Sequence, residues 1–162
     1  MRKSSFPPVV AADTRVLILG SLPGERSLAE RRYYAHPQNR FWHLVGPVIG
    51  VDLVSLPYEE RLAALLQAKV GLWDTVASAE RPGSLDAAIR AAQHNELVKL
   101  AASLPDLRAV AFNGAKSAAV GTRLLADSGV ALIPLPSSSP ANASIPLAEK
   151  EKRWGALRDF LH

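Results

Sequence analysis

The chain has 162 residues, 48% of them apolar and 21% charged, the balance of one globular domain able to bury a sizeable core. It has no cysteine, which excludes disulfides, thiolate zinc sites and cysteine-held iron–sulfur clusters. A net charge of +4 leans weakly toward a polyanionic partner, and no apolar run approaches the ~20 residues that cross a bilayer.

Residues 1–14 read as an N-terminal tail, because Pro7 and Pro8 disfavour both helix and central strand. The tail lacks the apolar centre of a secretion signal, so a soluble, cytoplasmic protein is expected. The remainder, 15–162, reads as a single domain without internal repeats. Arg15–Leu19 is a continuous Val/Leu/Ile run, the pattern of a strand buried on both faces. Ser27 and Glu30 have the spacing of a capping box for a short helix that Pro37 must end. Asn39 can cap the next helix, whose apolar stripe is Phe41, Trp42, Val45 and Ile49, with a bend at Gly46-Pro47.

Pro57 suits the first turn of a helix ending near Ala68. Val70–Val76 is a second strand, interrupted by Gly71 and Asp74. After a turn at Arg81–Ser84, Ser84 can cap a helix through Gln93, and Asn95 another through Ser103. Arg108–Phe112 is a third strand. A small-residue helix, Ala115–Asp127, follows it and closes at Gly129 in a left-handed cap. Val130–Leu135 is the fourth strand, and a final helix from about Leu147 buries Trp154, Leu157 and Phe160. Strands alternating with helices imply a parallel sheet covered on both faces.

In such folds ligands bind beyond the carboxyl ends of the strands. All four strands here end in polar or glycine-rich residues: Gly20–Gly24, Trp73-Asp74, Asn113-Gly114 and Ser137–Ser139. Taken singly, each has two readings. Gly20-Ser21-Leu22-Pro23-Gly24 is a turn or a pocket wall, and it fits neither dinucleotide nor Walker spacing. Asp74 serves nearby backbone groups or catalysis, with the first favoured. Trp73 belongs to the core or forms a stacking platform. Lys116 is solvated or meets a phosphate at a helix start. Ser137, Ser138 and Ser139 form a flexible loop or supply donors to a nucleic-acid backbone. Arg31-Arg32 beside Tyr33-Tyr34 is the basic-plus-aromatic pattern that holds a base and its phosphates, though an exposed helix face looks the same. His36 and His43 stand without a nearby carboxylate, so no metal is expected. Ser21 lacks the partners of a hydrolase triad.

Ala35–Trp42, some fifteen residues after the strand-ending Gly20–Gly24, resembles the mismatch-specific branch of the uracil-DNA glycosylase superfamily. Gly71–Asp74, Arg81–Asp86, Asn113–Lys116 and Leu135–Pro140 extend the likeness, most closely to its hypoxanthine-DNA glycosylase branch. The resemblance implies a three-layer α/β/α sandwich around a four-stranded parallel sheet. It also implies excision of a deaminated base, hypoxanthine or uracil, from single- or double-stranded DNA by a monomer without cofactor. Gly20, Ser21, Leu22, Pro23, Gly24, Tyr34 and His36 would form the base pocket, with Tyr34 stacking on the extruded base. Lys116, Ser137, Ser138, Ser139 and Asn142 would hold DNA.

Three departures qualify the likeness. Mismatch-specific relatives carry a water-positioning Asn where this chain has Leu22, and the hypoxanthine branch is thought to use the Asn matching Asn39 instead. Gly24 stands where the uracil-only branch carries a Tyr that crowds larger bases. The last motif lacks its opening histidine, with Leu135-Pro136 before the serines. Asn39 would orient water, Asn113 would contact the base or assist, and no lysine is placed for a strand-cleaving step. The rivals are a uracil or G/T-mismatch glycosylase, a DNA- or nucleotide-binding module that has lost catalysis, and a small-molecule hydrolase of the same fold, which the missing triad weakens.

Overall fold

A computed structural model describes residues 2–142 and 144–162, with the side chain of Ala91 outside the description. Met1, the first residue of the expected tail, lies outside the described residues. The central element is β2 (Val16–Gly20), buried along its whole length. It pairs in parallel with β3 (Val70–Asp74) on one side and β6 (Ala109–Asn113) on the other, and β6 pairs in parallel with β7 (Ala131–Leu135). The order β3-β2-β6-β7 is the four-stranded parallel sheet expected from the apolar runs.

Alternate residues of these strands face opposite layers. Val16, Ile18, Val70, Leu72, Ala109 and Ala111 share one core with Phe41, Trp42, Leu44, Leu65, Trp154 and Leu157. Those partners come from α2 (Phe41–Ile49), α3 (Tyr58–Gln67), α6 (Leu147–Gly155) and the 3-10 turn after it. Leu17, Leu19, Val110 and Phe112 face the other layer, where α4 (Leu97–Ala102) and α5 (Ala115–Leu124) pack. This is a three-layer α/β/α sandwich. Each large apolar side chain fully buried in it contributes ~1.5–3 kcal/mol. No helix among the described residues is long and apolar enough to cross a membrane.

A second sheet was not anticipated. Arg2–Ser4 forms β1, Val76–Glu80 forms β4 and Arg90–His94 forms β5, joined antiparallel in the order β1-β4-β5. The stretch read as a tail is therefore tied down twice, by β1 and by a bridge from Val9 to Leu72. The helix expected from Ser84 to Gln93 is instead a 3-10 turn at Asp86–Ala88 followed by β5. Asn95 does not cap the next helix: its amide donates to Asp74 O at 2.7 Å and to Ser5 Oγ at 3.1 Å.

The capping box is also displaced. Helix α1 runs Glu25–Glu30 from Gly24, and Ser27 lies buried inside it with Oγ accepting from Ala35 N. The strand expected to continue to Val76 stops at Asp74, where Thr75 turns the chain into β4. Helix α5 ends at Leu124, short of the expected Asp127, although Gly129 does adopt a left-handed φ of 81°.

Candidate active site

The carboxyl ends of β2, β3, β6 and β7 open into a cleft of about 890 Å³, within the range of small-ligand sites. Gly20–Gly24, Tyr34, His36, Asn39, Asp74, Asn113, Lys116, Ser137–Ser139 and Asn142 all line it. The sequence-expected residues are thus brought to one place, although their roles divide unevenly.

The first wall is the loop Gly20–Gly24, braced from behind by the turn that follows β4. Arg81 is 2% exposed, and its guanidinium donates to Leu22 O, Pro23 O and Gly83 O. Ser21 Oγ donates to Asp86 Oδ1 at 2.5 Å, and Glu25 N donates to Ser84 Oγ at 2.9 Å. Leu22 packs with Val76, Ala79 and Ile89, so its side chain anchors the loop. A Cβ added to Gly24 would meet Ser84 Oγ at 3.3 Å, so this glycine lets the loop and the turn approach each other.

The floor is built around Asp74 at the end of β3. Its side chain is 3% exposed, and Oδ2 has no hydrogen-bond partner. Burial pushes its carboxyl up to about 7, with the nearby charge of Asp86 adding to the rise and Arg81 opposing it. The Tyr34 hydroxyl is likewise buried and unpartnered. A Cβ on Gly20 would fall 2.7 Å from Asp74 Oδ1 and 3.0 Å from Tyr34 Oη, so only glycine leaves room for both groups. Buried polar groups without partners are rare and call for an explanation such as an absent ligand.

Tyr34 adopts φ 54°, a left-handed conformation unusual for a bulky residue and often found at functional sites. Its ring stacks on Phe41 with centroids 3.8 Å apart and planes within 8°, while Trp42 Nε1 donates to its carbonyl at 3.3 Å. Burial raises its hydroxyl above the ordinary tyrosine range, so it stays a donor. Tyr33 points away into the core, donating to Pro7 O.

Asn39 sits at the mouth, one residue before the N-cap Arg40 rather than at the expected cap position, and its Oδ1 accepts from Phe41 N at 3.0 Å in a turn that leads into α2. His36 is exposed on the rim, where Nδ1 accepts from Gln38 N. Asn113, expected to contact the base or assist, bonds to the serine loop. Its Nδ2 donates to Ser138 Oγ and its Oδ1 accepts from Ser138 N, both at 2.9 Å. Ser138 is therefore buried, while Ser137, Ser139 and Asn142 remain part-exposed on the lip. Ser137 Oγ and Ser139 Oγ accept from the amides of Ser139 and Ala141, which orders a loop read as flexible. Lys116 stands half-buried at the start of α5.

The residues that the sequence reading passed over are Arg81, Asp86 and the orphaned state of Asp74. Arg81 and Asp86 entered the sequence reading only as the ends of a stretch resembling the family, with no role of their own. Their opposite charges at the two ends of a matched stretch are the signal that points to them.

A parallel sheet with a polar cleft at its carboxyl edge, lined by a stacked aromatic ring and a buried carboxyl, is the arrangement in which open α/β folds bind small ligands. The family model for the uracil DNA glycosylase superfamily matches residues 7–160, and the chain belongs to that family. A hypoxanthine DNA glycosylase of Methanosarcina barkeri is 46% identical over 117 residues, covering 72% of this chain and 74% of the relative. A second hypoxanthine DNA glycosylase, from Methanosarcina acetivorans, is 39% identical over 157 residues, covering 97% and 98% of the two chains. A solution NMR structure from Methanosarcina acetivorans, presented as a candidate uracil DNA glycosylase, superposes with a TM-score of 0.89. It is 39% identical and covers 99% of both chains.

Proposed function

We propose that this DNA glycosylase excises hypoxanthine from DNA, leaving an abasic site without cutting the strand. The observation that carries the reading is the buried, unpartnered carboxyl of Asp74 on the floor of a cleft large enough for a purine. The relatives named hypoxanthine DNA glycosylase support the same base.

The target nucleotide flips out of the stack, at a cost of a few kcal/mol, and its base slides over Tyr34. The ring, fixed from below by Phe41, offers a flat shelf. Protonated near neutral pH, Asp74 donates to an acceptor nitrogen or oxygen of the base, and the Tyr34 hydroxyl donates beside it. As the glycosidic bond breaks, its electron pair moves into the base, and these two donors stabilise the charge that develops there. The base leaves with the Asp74 proton, and the carboxylate takes up a proton from solvent.

Asn39 orients water toward the sugar carbon through the amide group left free by its bond to Phe41 N. That water adds to the carbon and releases its proton. An amide cannot act as a base, so leaving-group stabilisation supplies most of the rate. Asn113 works indirectly, by locking Ser138 so that Ser137, Ser139 and Asn142 face the DNA backbone, with Lys116 and His36 on the rim. The enzyme acts as a monomer in the cytoplasm.

Labelled duplexes carrying hypoxanthine, uracil or xanthine test the proposal. Hypoxanthine release with breaks appearing only after alkali is the expected outcome. Intact lesions with folded protein would overturn it, and uracil release exceeding hypoxanthine release would favour a uracil or mismatch enzyme.

A further inference from the structure

Lys150 is only 5% exposed, whereas Glu151, Lys152 and Arg153 beside it on α6 are open to solvent. A lysine is rarely covered to this extent without a partner, because an unpaired charge is costly to take from water. The acids flanking it on α6 are engaged elsewhere: Glu149 holds Arg153 at 3.0 Å and Glu151 faces His43 at 3.6 Å. The Lys150 ammonium forms no hydrogen bond or ion pair with any described residue. Nor is it sealed in, as the Tyr34 hydroxyl is, so the tip of a covered side chain opens outward.

Burial, and then the repulsion of a second cation, Arg40, hold the ammonium below the ordinary lysine range. Arg40 is exposed at the N-cap of α2, and its guanidinium is likewise unpaired among the described residues. Lys150 lies in the first turn of α6. Each cation thus stands at the positive end of a nine-residue helix, the end that attracts anions and disfavours positive side chains. Two unpaired cations at two helix starts repel each other until an anion lies between them.

Both are fixed against the serine loop. Arg40 N donates to Ser138 O at 3.0 Å. One turn beyond Lys150 on the same face of α6, Trp154 Nε1 donates to Pro136 O at 3.0 Å. Asn39 and Ser138 line the cleft, but neither Arg40 nor Lys150 does, so the pair lies just outside the pocket. Resting on the excision reading above, we propose that Arg40 and Lys150 form an anion site, separate from the base pocket, that holds one phosphodiester of the lesion-bearing strand. Arg40 offers a planar fork of donors and Lys150 a recessed point charge. A phosphate gripped there sets the register of the strand without reading its sequence, so the site serves every target base alike.

Binding and excision are measured on hypoxanthine-containing DNA with wild-type, Lys150→Met, Lys150→Arg and Arg40→Gln proteins. In a parallel set of substrates, each phosphodiester near the lesion is replaced in turn by a neutral methylphosphonate. Lys150→Met should bind about tenfold more weakly, the scale of one charge-assisted hydrogen bond, and Lys150→Arg should recover most of the loss. The salt dependence of affinity should fall by the equivalent of about one phosphate. The loss should appear in KM rather than in kcat, as for a contact that persists unchanged through the reaction. One methylphosphonate position should weaken wild type yet leave Lys150→Met and Arg40→Gln unaffected. Removing a covered, unpaired charge should leave the melting temperature of Lys150→Met equal to wild type or higher. Wild-type affinity in both Lys150→Met and Arg40→Gln, or identical methylphosphonate losses in all four proteins, would overturn the site. A lower melting temperature of Lys150→Met with unchanged affinity would assign the lysine to the fold instead. Position-specific coupling in a wild-type protein that releases no base would sink the excision reading and keep the phosphate site, and excision without coupling would do the reverse.

Discussion

Asn113 grips Ser138 with both ends of its amide, Nδ2 on the hydroxyl and Oδ1 on the backbone amide, each at 2.9 Å. Both residues are buried, so the pair is a structural pin between the end of β6 and the lip of the cleft. Asn113→Ala would strand the Ser138 amide without an acceptor, at a cost of ~1–3 kcal/mol. The expected result is a lower melting temperature and a raised KM for lesion DNA, with kcat falling less. A large kcat loss at unchanged KM would place Asn113 at the chemistry instead.

Asp74 ties activity to pH. An unfolded aspartate titrates at ~3.9, whereas the folded group is pushed up to about 7. A carboxyl raised in this way favours the folded state only while protonated. Its contribution is whole below ~4 and is lost as pH climbs through about 7. Thermal melts from pH 5 to 8 should therefore show Asp74→Asn gaining on wild type as pH rises. Excision by wild type should decline above about pH 7, while the slower variant shows a flat profile over the same range.

Asn39 carries two duties. Asn39→Ala should lower turnover by about 100-fold, the scale of misplacing a reacting group. It also removes the acceptor for Phe41 N, costing ~0.5–1.5 kcal/mol of stability, the net worth of one hydrogen bond. Asn39→Asp keeps the acceptor for Phe41 N, so its melting temperature should return toward wild type. Full activity in Asn39→Ala would move the water elsewhere.

Gly20→Ala is the sharpest steric probe. Its Cβ would arrive 2.7 Å from Asp74 Oδ1 and 3.0 Å from Tyr34 Oη, forcing both donors aside. Excision should drop by at least an order of magnitude, ~1.4 kcal/mol in the barrier, while circular dichroism stays native. Wild-type rates from Gly20→Ala would show that neither donor matters.

The parallel sheet was legible because its strands are continuous apolar runs, and burial on both faces demands such runs. The second sheet was hidden for the opposite reason. Residues 84–93, rich in alanine with an acid near the start, suit a helix, but pairing with Val76–Glu80 overrides that weak preference. Arg2–Ser4 becomes a strand only through a partner more than seventy residues away, which no local pattern encodes. Site residues at strand ends could be read from their spacing. The proposed division between Asn113 as pin and Asp74 as donor could not, because it depends on which amide and carboxyl atoms remain free.

The edge strand at the very start of the chain has a practical side. Lys3 reaches Glu25 and Gly83, so the second residue of that strand props the hinge between the first pocket loop and the turn after β4. Trimming by an aminopeptidase, or a bulky purification tag fused ahead of Arg2, would loosen the cleft from a distance without touching any residue that meets DNA. Preparations differing only at that end should differ in specific activity, which makes intact mass of the amino terminus a quality measure worth taking before any rate is compared.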